Sequence, residues 1–340
     1  MRVRWKGGVH VECGRVQVMF DPQNNRFSRC LVFVSHGHFD HSTAFRMDGM
    51  KKYSSRQTFD LITSFGIQPQ NWQPLEMGKK VVFDDVEVVP HNSGHVLGSY
   101  EFEVKTPEGN VLFTGDFNTE YTKTMKPAEP VQCDVLVLEA TFGSPSFTFP
   151  SEDEVGKEMV DWAKKVIRSR KIPTFQADPL GNAQEIISIF NESRIPVVSH
   201  WKVSRINRIY ESYGYKLEYL DAKSAEAQEV IDSGNLVYVT PKQLDLQDHP
   251  EFIPALVSGW AMWAKKTAFP LSDHADFPRL IGFVEECRPK IVLTCHGSRF
   301  NDTLAHFIEQ KLGIRAYPIE LIPTSLRSEN HGHQIQETLK

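Results

Sequence analysis

The stretch VFVSHGHFDHS, residues 32–42, decides how the whole chain is interpreted. It begins as an apolar strand and then places three histidines and one aspartate within six residues. Alternate residues of an extended segment point to the same side, so His36 and His38 can bind one metal ion. Asp40 and His41 follow the next turn and can face a second ion, since imidazole and carboxylate groups are ligands that zinc, manganese and iron accept. The alternative interpretation is a solvated turn that is rich in histidine by chance.

Four further segments place a metal-capable residue in a loop at or near the end of an apolar strand. They are HNSGHVLGS with His95, VLFTGDFN with Asp116, IVLTCHGS with His296 and FPLSDHADF with His274. A single histidine at such a position is more often a structural residue. The repetition favours one shared site, because loops at one edge of a scaffold are where active sites are built.

The composition is that of a globular protein of 340 residues with a sizeable core. Hydrophobic residues make up 40% and charged residues 24%, and no run of about 18 apolar residues indicates a membrane span. The first residues lack an apolar signal core and the five cysteines form no C-x-x-C pair, so we expect a cytoplasmic protein without membrane attachment. The net charge of −5 argues against coating nucleic acid through bulk charge but permits a local basic track.

The chain contains two kinds of secondary-structure pattern. Short β-rich segments fill its first part, and residues 106–110 (TPEGN) form a hairpin turn between two of them. Strands then alternate with helices, starting from a capping-box pattern at Ser151 and Glu154, which indicates a parallel sheet. The patterns predict an α/β protein with this division: a sandwich domain of residues 1–143 and 265–340, and an inserted α/β domain of residues 144–264.

Several motifs resemble those of the metallo-β-lactamase superfamily, namely SHGHFDH, GHVLGS, TGD and CHGS. LEATFG at residues 138–143, LSDHADF at residues 271–277 and the motif around His296 resemble its β-CASP nuclease branch, in which an extra domain is inserted. CDVLVLEATFGSPSFTFP and DPLGNAQE are most similar to the compact group of that branch that contains ligase-associated exonucleases and mRNA 3′-end-processing-factor-like proteins. The resemblance covers nearly the whole chain and implies an αββα sandwich with an inserted α/β β-CASP domain.

The resemblance also implies a role for each motif residue. Two ligand sets and a bridging ligand are implied: His36, His38 and His95 for one ion, Asp40, His41 and His296 for the other, and Asp116 between them. Asp21 orients a histidine ligand from behind, as metal-bound imidazoles require. Asp40 and Glu139 support catalysis, and His274 donates a proton to the leaving oxygen. Related proteins often carry a basic residue where this chain has Asn182, which leaves a phosphate contact from that side chain open.

Hydrolysis of a phosphodiester by two metal ions also follows from the chemistry of these residues alone. Two metal ions roughly 3.5–4 Å apart can activate a water molecule and hold both the attacking and the leaving oxygen of a phosphodiester. A histidine such as His274 suits the role of proton donor near neutral pH, and general acid catalysis contributes roughly 10²–10⁴-fold to a rate. We expect the two divalent ions to be zinc or manganese.

Substrate contacts are predicted from basic segments and from glycine turns. Three segments mix basic and aromatic residues in a way that suits a single strand: KKVIRSRK (164–171), WKVSRINRIY (201–210) and WAKK (263–266). The alternative is that each segment is an ordinary solvated helix face. Gly181, Ser258 and Gly259 can let a phosphate approach the backbone, and tight packing is the alternative explanation for them.

These patterns predict a two-metal-dependent nuclease. The ligase-associated resemblance favours a 5′-to-3′ exonuclease that acts on single-stranded or end-bearing DNA in repair, with a DNA ligase or another repair factor as a partner. The alternative is an RNA-processing endo- or exoribonuclease of the β-CASP type, since a histidine at the position of His296 is associated with RNA-acting members. Two other classes are a small-molecule hydrolase, against which the inserted domain argues, and a non-catalytic scaffold, against which the complete ligand set argues.

Overall fold

The computed structural model describes residues 1–24, 30–246 and 248–322, so residues 323–340 of the predicted second sandwich segment lie outside the described residues. The described part of the chain contains three β-sheets and seven α-helices. The strands are β1 (Arg2–Trp5), β2 (Val9–Cys13), β3 (Val16–Phe20), β4 (Leu31–Phe33), β5 (Lys51–Ser55), β6 (Trp72–Leu75), β7 (Val81–Phe83), β8 (Val86–Asn92), β9 (Tyr100–Thr106), β10 (Gly109–Phe113), β11 (Val135–Glu139), β12 (Ile172–Ala177), β13 (Val197–Ser199), β14 (Leu220–Asp221), β15 (Val237–Pro241), β16 (Phe252–Val257), β17 (Ala268–Phe269), β18 (Ile291–Cys295) and β19 (Arg315–Pro318). The α-helices are α1 (Arg56–Ser64), α2 (Glu152–Arg168), α3 (Asn182–Glu192), α4 (Trp201–Ser212), α5 (Ala225–Ser233), α6 (Phe277–Cys287) and α7 (Arg299–Leu312).

Two of the sheets pack face to face and form a sandwich. One has six strands in the order β1-β2-β3-β4-β5-β6, and the other has seven in the order β19-β18-β11-β10-β9-β8-β7. Buried aromatic rings join them, since Phe20 of β3 stacks on Phe102 of β9 and on Phe113 of β10, with ring centroids 5.3 and 4.9 Å apart. Truncating one such buried ring to alanine costs roughly 3–5 kcal/mol of stability. The hairpin predicted at residues 106–110 joins β9 to β10.

Helices cover the outer faces of both sheets. Every residue of β11 and β18 is buried, because the outer face of these strands packs under α6 and α7 in a cluster that includes Leu136, Leu280 and Leu304. On the other side, Ile62 of α1 packs with Val32 of the first sheet. The order of the layers is therefore helix, sheet, sheet and helix, which confirms the predicted αββα sandwich.

The third sheet contains strands from the middle of the chain, in the order β14-β13-β15-β12-β16-β17. All its strand pairs are parallel, as the alternation of strands and helices predicted. α2 begins with the predicted capping box between Ser151 and Glu154. β11 and β18, which precede and follow this sheet in the chain, pair directly with each other in the sandwich. The fold is thus a sandwich with an inserted α/β unit, and the boundaries at residues 144 and 264 stay a prediction.

The helices also bear on the expectation of no membrane attachment. The longest of those described, α2, has 17 residues and charged residues in both its first and its last turn. Within the described ranges, none of the helices combines the length and the apolar character needed to cross a bilayer.

Candidate metal centre

Loops that follow strands of both sandwich sheets meet at one edge of the fold. His36 and His38 follow β4 of the first sheet, whereas His95, Asp116 and His296 follow β8, β10 and β18 of the second. His38, Asp116 and His296 of this group line a cavity of ≈ 430 Å³, called the metal cavity below, together with residues that follow strands of the third sheet. Its lining residues are His38, Phe39, Asp40, His41, Asp116, Thr141, Asp178, Asp273, His274 and His296.

Three histidines at this edge have fixed orientations. In each of them, one ring nitrogen donates its proton to an oxygen atom of the protein. These hydrogen bonds run from His36 Nδ1 to Ser35 Oγ (2.9 Å), from His38 Nε2 to the Leu180 carbonyl (3.2 Å) and from His95 Nδ1 to the Asp273 carbonyl (2.9 Å). A carbonyl oxygen can only accept, and the Ser35 hydroxyl already donates to Asp21, so the tautomer of all three rings is determined.

In the neutral form of each ring the opposite nitrogen carries a lone pair, and that of His38 faces those of the other two. His38 Nδ1 lies 3.1 Å from both His36 Nε2 and His95 Nε2. Lone pairs at this distance repel each other unless a proton or a cation lies between them. Three nitrogen ligands of one tetrahedral ion, each bound at about 2.0–2.1 Å, lie about 3.3 Å from one another. The three nitrogens thus have the spacing of ligands of a single metal ion.

Asp116 lies between this histidine trio and His41. Its Oδ2 atom is 3.5 Å from His36 Nε2, 3.8 Å from His95 Nε2 and 3.3 Å from His41 Nε2. Its Oδ1 atom is buried and accepts no hydrogen bond from the described residues. An unpaired buried carboxylate oxygen is costly, and a cation in the metal cavity would supply the missing partner. The donor set therefore fits one divalent ion at the trio and a bridging position at Asp116.

His41 is held from behind by Asp21. The His41 Nδ1–H group donates to Asp21 Oδ2 at 2.8 Å, and the amide and hydroxyl of Ser35 donate to the same carboxylate. This arrangement turns His41 Nε2 towards Asp116. Asp21 therefore lies behind His41, and its role in orienting a metal ligand stays a prediction.

The other two residues of the second set are more open. His296 follows β18 with a left-handed backbone (φ 59°), and its ring stacks on that of His41 with centroids 4.7 Å apart. Asp40 lines the metal cavity, but its side chain is 74% exposed and its Oδ2 atom is 3.7 Å from His41 Nε2. Among the described residues, the groups of donor atoms that lie within 4.8 Å of one another include His41 but neither Asp40 nor His296. A second ion would thus require Asp40 to turn inward.

Glu139 and His274 form a pair on the opposite wall of the metal cavity. His274 Nδ1 donates to Glu139 Oε1 at 2.9 Å, and the amides of Phe117 and Thr141 donate to the same carboxylate. Burial opposes protonation of His274, but the carboxylates of Glu139, Asp116 and Asp273 outweigh burial and raise its pKa to about 10. His274 therefore carries a proton at neutral pH when no cation lies in the cavity.

The charge states of His36, His95 and Asp116 also suit metal binding. Burial lowers the pKa of His95 to about 3 and holds that of His36 well below its usual value, so both rings are neutral. Burial opposes ionisation of Asp116, but His41 and His274 lower its pKa well below the usual range. Neutral imidazole and ionised carboxylate are the forms that coordinate a metal.

The structure also brings residues into the metal cavity that the sequence did not assign. Asp178 follows β12 of the third sheet and forms an ion pair with Lys242. The backbone carbonyls of Leu180 and Asp273 orient two of the histidines. Asp178 could have been found, because it follows an apolar strand in the same way as Asp116 does. The two carbonyl groups leave no signal in the sequence.

The glycine turns are closely packed in the structure. Gly181 has a left-handed backbone (φ 95°), its amide donates to Gln184 Oε1 at 2.9 Å, and a Cβ atom there would collide with the Asp273 carboxylate. At Gly259 a Cβ atom would collide with the Phe142 ring. The Ser258 side chain caps the 3₁₀ helix that begins at Gly259. These contacts fit the packing interpretation, and substrate binding by the three residues stays a prediction.

The chain is similar to known proteins in both sequence and fold. Residues 24–174 match the model of the beta-lactamase superfamily domain. Over these residues the chain resembles the metallo-β-lactamase superfamily, and its relatives include β-CASP nucleases, the branch that the motifs predicted. A solved structure of a protein of unknown function from Enterococcus faecalis V583 shares the fold, with a TM-score of 0.67 and 14% identity over 96% of this chain and 98% of that one.

Three curated relatives show how far the similarity extends. A probable DNA ligase of Opitutus terrae is 28% identical over 84% of this chain and 28% of its own length. RNase aCSPSF2 of Saccharolobus solfataricus is 25% identical over 72% of this chain and 59% of its own length. An RNase J-like protein of Methanocaldococcus jannaschii is 24% identical over 61% of this chain and 56% of its own length. The chain therefore spans less than two thirds of each of these relatives.

Proposed function

We propose that this chain is a two-metal phosphodiesterase that hydrolyses nucleic acid. The observation that carries the proposal is the histidine trio, in which His38 Nδ1 lies 3.1 Å from both His36 Nε2 and His95 Nε2, with Asp116 between the trio and His41. A water molecule held there could donate to only two of these acceptors, whereas a divalent cation satisfies all of them. Relatives named as RNases and as a probable DNA ligase support a substrate with a phosphodiester backbone.

Most of these residues would bind the metal ions, and one would donate a proton. His36, His38 and His95 would hold one ion, Asp40, His41 and His296 the other, and Asp116 would bridge them. Two zinc or manganese ions at these positions would supply a nucleophilic hydroxide and neutralise the charge of the phosphate. Because Glu139 holds His274 through Nδ1, the Nε2–H group of His274 is free to protonate the departing oxygen.

Within this activity we favour a 5′-to-3′ exonuclease that acts on single-stranded DNA in repair. The relative that matches 84% of this chain is named a probable DNA ligase, which suits a nuclease that works beside a ligase or is joined to one. A DNA ligase or another repair factor is accordingly the proposed partner. All five cysteines are free thiols, which suits the reducing cytoplasm as the place of action.

An RNA-processing endo- or exoribonuclease is the second candidate. Two relatives that match 72% and 61% of this chain are named as ribonucleases. His296 favours the same candidate, because the resemblance associates a histidine at this position with RNA-acting members.

One experiment tests the proposal and separates its two versions. Single and double strands of DNA and RNA, labelled at either end, are incubated with the protein and Mn²⁺ or Zn²⁺, and products are mapped over time. We expect single-stranded DNA to be shortened from its 5′ end, and a clear preference for RNA would select the second candidate. His91→Ala is the matched control, because His91 pairs with Glu103 outside the metal cavity. A protein that binds two ions but cleaves none of these strands would contradict the proposal, and one that binds no ion would be a scaffold.

A further inference from the structure

A second cavity adjoins the metal cavity and is not used by the proposed chemistry. It has a volume of ≈ 410 Å³, within the range of about 300–1,000 Å³ typical of small-molecule sites. It shares His38, Phe39 and Asp178 with the metal cavity, so the two are adjacent. Its other lining residues are Gly37, Phe65, Pro179, Leu180, Trp201, Lys202, Arg205, Pro241 and Gln243.

Aromatic rings and cations dominate one wall of this second cavity. Trp201, the first residue of α4, has three cations around its ring, with Lys223 Nζ, Arg205 Cζ and Lys202 Nζ at 4.7, 5.1 and 5.6 Å from the ring centroid. The Arg205 guanidinium also lies 5.9 Å from the centroid of Phe65, so two aromatic rings flank it. Such flanking orients a guanidinium and leaves its N–H groups available for an anion.

The three cations around Trp201 are not neutralised by ion pairs with described residues. In the described ranges, Lys202, Arg205 and Lys223 each lack an ion pair with an acidic side chain, whereas Arg208 on the same helix pairs with Asp221. In a chain with a net charge of −5, three unpaired cations around one ring mark a local anion-binding surface. Lys202 and Arg205 line the second cavity, which adjoins the metal cavity, and this position indicates an anion that belongs to the substrate.

The lining of the second cavity also offers an exposed aromatic ring. Phe39 immediately follows the metal ligand His38, its side chain is 47% exposed, and its ring contacts that of Phe65 at 5.1 Å. A base can stack on such a ring only when it is not already paired and stacked within a duplex. Of the three basic segments seen in the sequence, only residues 201–210 contribute to this cavity.

We propose that the second cavity binds an unpaired nucleotide of the substrate strand next to the phosphodiester at the metal ions. Arg205 and Lys202 hold its phosphate, and the rings of Trp201 and Phe39 stack on its base. The inference rests on the proposed nuclease function and deepens it, because it names the residues that bind the nucleotide beside the cleaved bond. The strand would enter the metal cavity past Phe39.

Binding can be measured without catalysis. The fluorescence anisotropy of a labelled 12-nucleotide single strand is followed in EDTA at several salt concentrations, with strands of DNA and of RNA. Arg205→Gln is expected to weaken binding and to reduce the slope of log K against log [salt] by about 0.7, the value for one phosphate contact on a single strand. Trp201→Leu is expected to weaken binding about 5- to 150-fold, the effect of losing one stacked base.

Arg208→Gln is the matched control. It makes the same change on the same helix, away from the second cavity, and should bind the strand as the wild-type chain does. Unaltered affinity and salt slope in both Arg205→Gln and Trp201→Leu, with unchanged thermal unfolding, would refute the subsite. So would a failure of the wild-type chain to bind any single strand.

A kinetic test with added Mn²⁺ separates the subsite from the proposed function. Bis(p-nitrophenyl) phosphate is a phosphodiester without a neighbouring nucleotide. Arg205→Gln should therefore lower kcat/KM for an oligonucleotide more than for this small substrate, and equal losses would contradict the subsite. A wild-type chain that hydrolyses neither substrate but still loses strand affinity on Arg205→Gln would keep the subsite and reject the nuclease.

Discussion

Two regions of the molecule bury carboxylates and hold them in opposite charge states. In the metal cavity, burial would raise the pKa of Asp116, but His41 and His274 lower it well below the usual range. At the start of α2, burial and the neighbouring Glu185 raise the pKa of Glu152 to about 9. Both carboxylates are largely buried, so their neighbours decide which of them is ionised.

The difference distinguishes a site that needs a cation from one that does not. Asp116 Oδ1 and Glu152 Oε1 both accept no hydrogen bond from the described residues. Glu152 can take up a proton and become neutral, and its neighbour Glu185 accepts hydrogen bonds from Thr122 and Thr124 that join α3 to a surface loop. Asp116 stays ionised among imidazoles, so a cation in the metal cavity would complete its surroundings.

Removing the charge of Asp116 should have the largest effect. Asp116→Asn keeps the shape of the side chain but removes the bridging charge, so we expect loss of bound metal and a fall in phosphodiesterase activity of more than about 10²-fold, beyond the loss typical of an outer-sphere partner. Metal content and hydrolysis of bis(p-nitrophenyl) phosphate measure it. Glu152→Gln makes the same kind of change in the other region and should leave both quantities unchanged. An Asp116→Asn protein with two ions and normal activity would overturn the metal assignment.

The next largest effect should come from His274, whose protonated ring interacts with Asp116. His274→Ala removes the proposed proton donor but none of the proposed ligands, so the rate should fall by roughly 10²–10⁴-fold while the metal content is retained. His91→Ala serves as the control histidine. Full activity of His274→Ala with single-stranded DNA would exclude the role of proton donor.

A smaller effect is expected from Asp21, which hydrogen-bonds the proposed metal ligand His41. Asp21→Asn weakens the hold on His41 Nδ1, and the loss of such a partner typically lowers metal affinity about 10- to 100-fold. Competition with a chelator of known affinity measures the change. Asp134→Asn is a suitable control, because Asp134 pairs with Lys290 at a partly exposed position. Equal metal affinities of the two variants would show that Asp21 contributes only to folding.

The smallest effect is expected for Glu152 and concerns the pH dependence of thermal stability. The folded-state pKa of Glu152 lies above its unfolded value, so its contribution to stability is fully present below pH 4.5 and is lost as the pH rises towards 9. In metal-free protein we therefore expect Glu152→Gln to raise Tm by about 2 °C or more at pH 8 and to change it little at pH 4.5. Glu158→Gln on the exposed side of α2 is the control. A difference in Tm that does not vary with pH would show that Glu152 is ionised in the folded protein.

The fold was largely predictable because its signals are local. The capping box at Ser151 and Glu154, the hairpin at residues 106–110 and the alternation of strands and helices each depend on residues close in the sequence. Position 181 shows where such reasoning stops. A glycine turn before a helix suggested a phosphate site, but the turn packs against Asp273, which is distant in the chain.

The second cavity shows the same limit. The sequence contains three basic segments with aromatic residues and offers no means of ranking them. Packing of α4 beside the loop after β4 brings Trp201 and Arg205 next to Phe39, whereas residues 164–171 and 263–266 do not line this cavity. Charge and composition indicate what a segment can bind, and its position relative to the metal ligands depends on how the sheets pack.

The sequence by itself determined the kinds of donor in the metal cavity and the strands that carry them, because histidines and aspartates after apolar strands form a local pattern. Only the tertiary structure decided how those donors are oriented. The carbonyls of Leu180 and Asp273 turn the lone pairs of His38 and His95 towards each other, and 142 and 178 residues separate the partners of these two hydrogen bonds. Contacts over such distances arise only when all three sheets pack together, so no spacing in the sequence reports them.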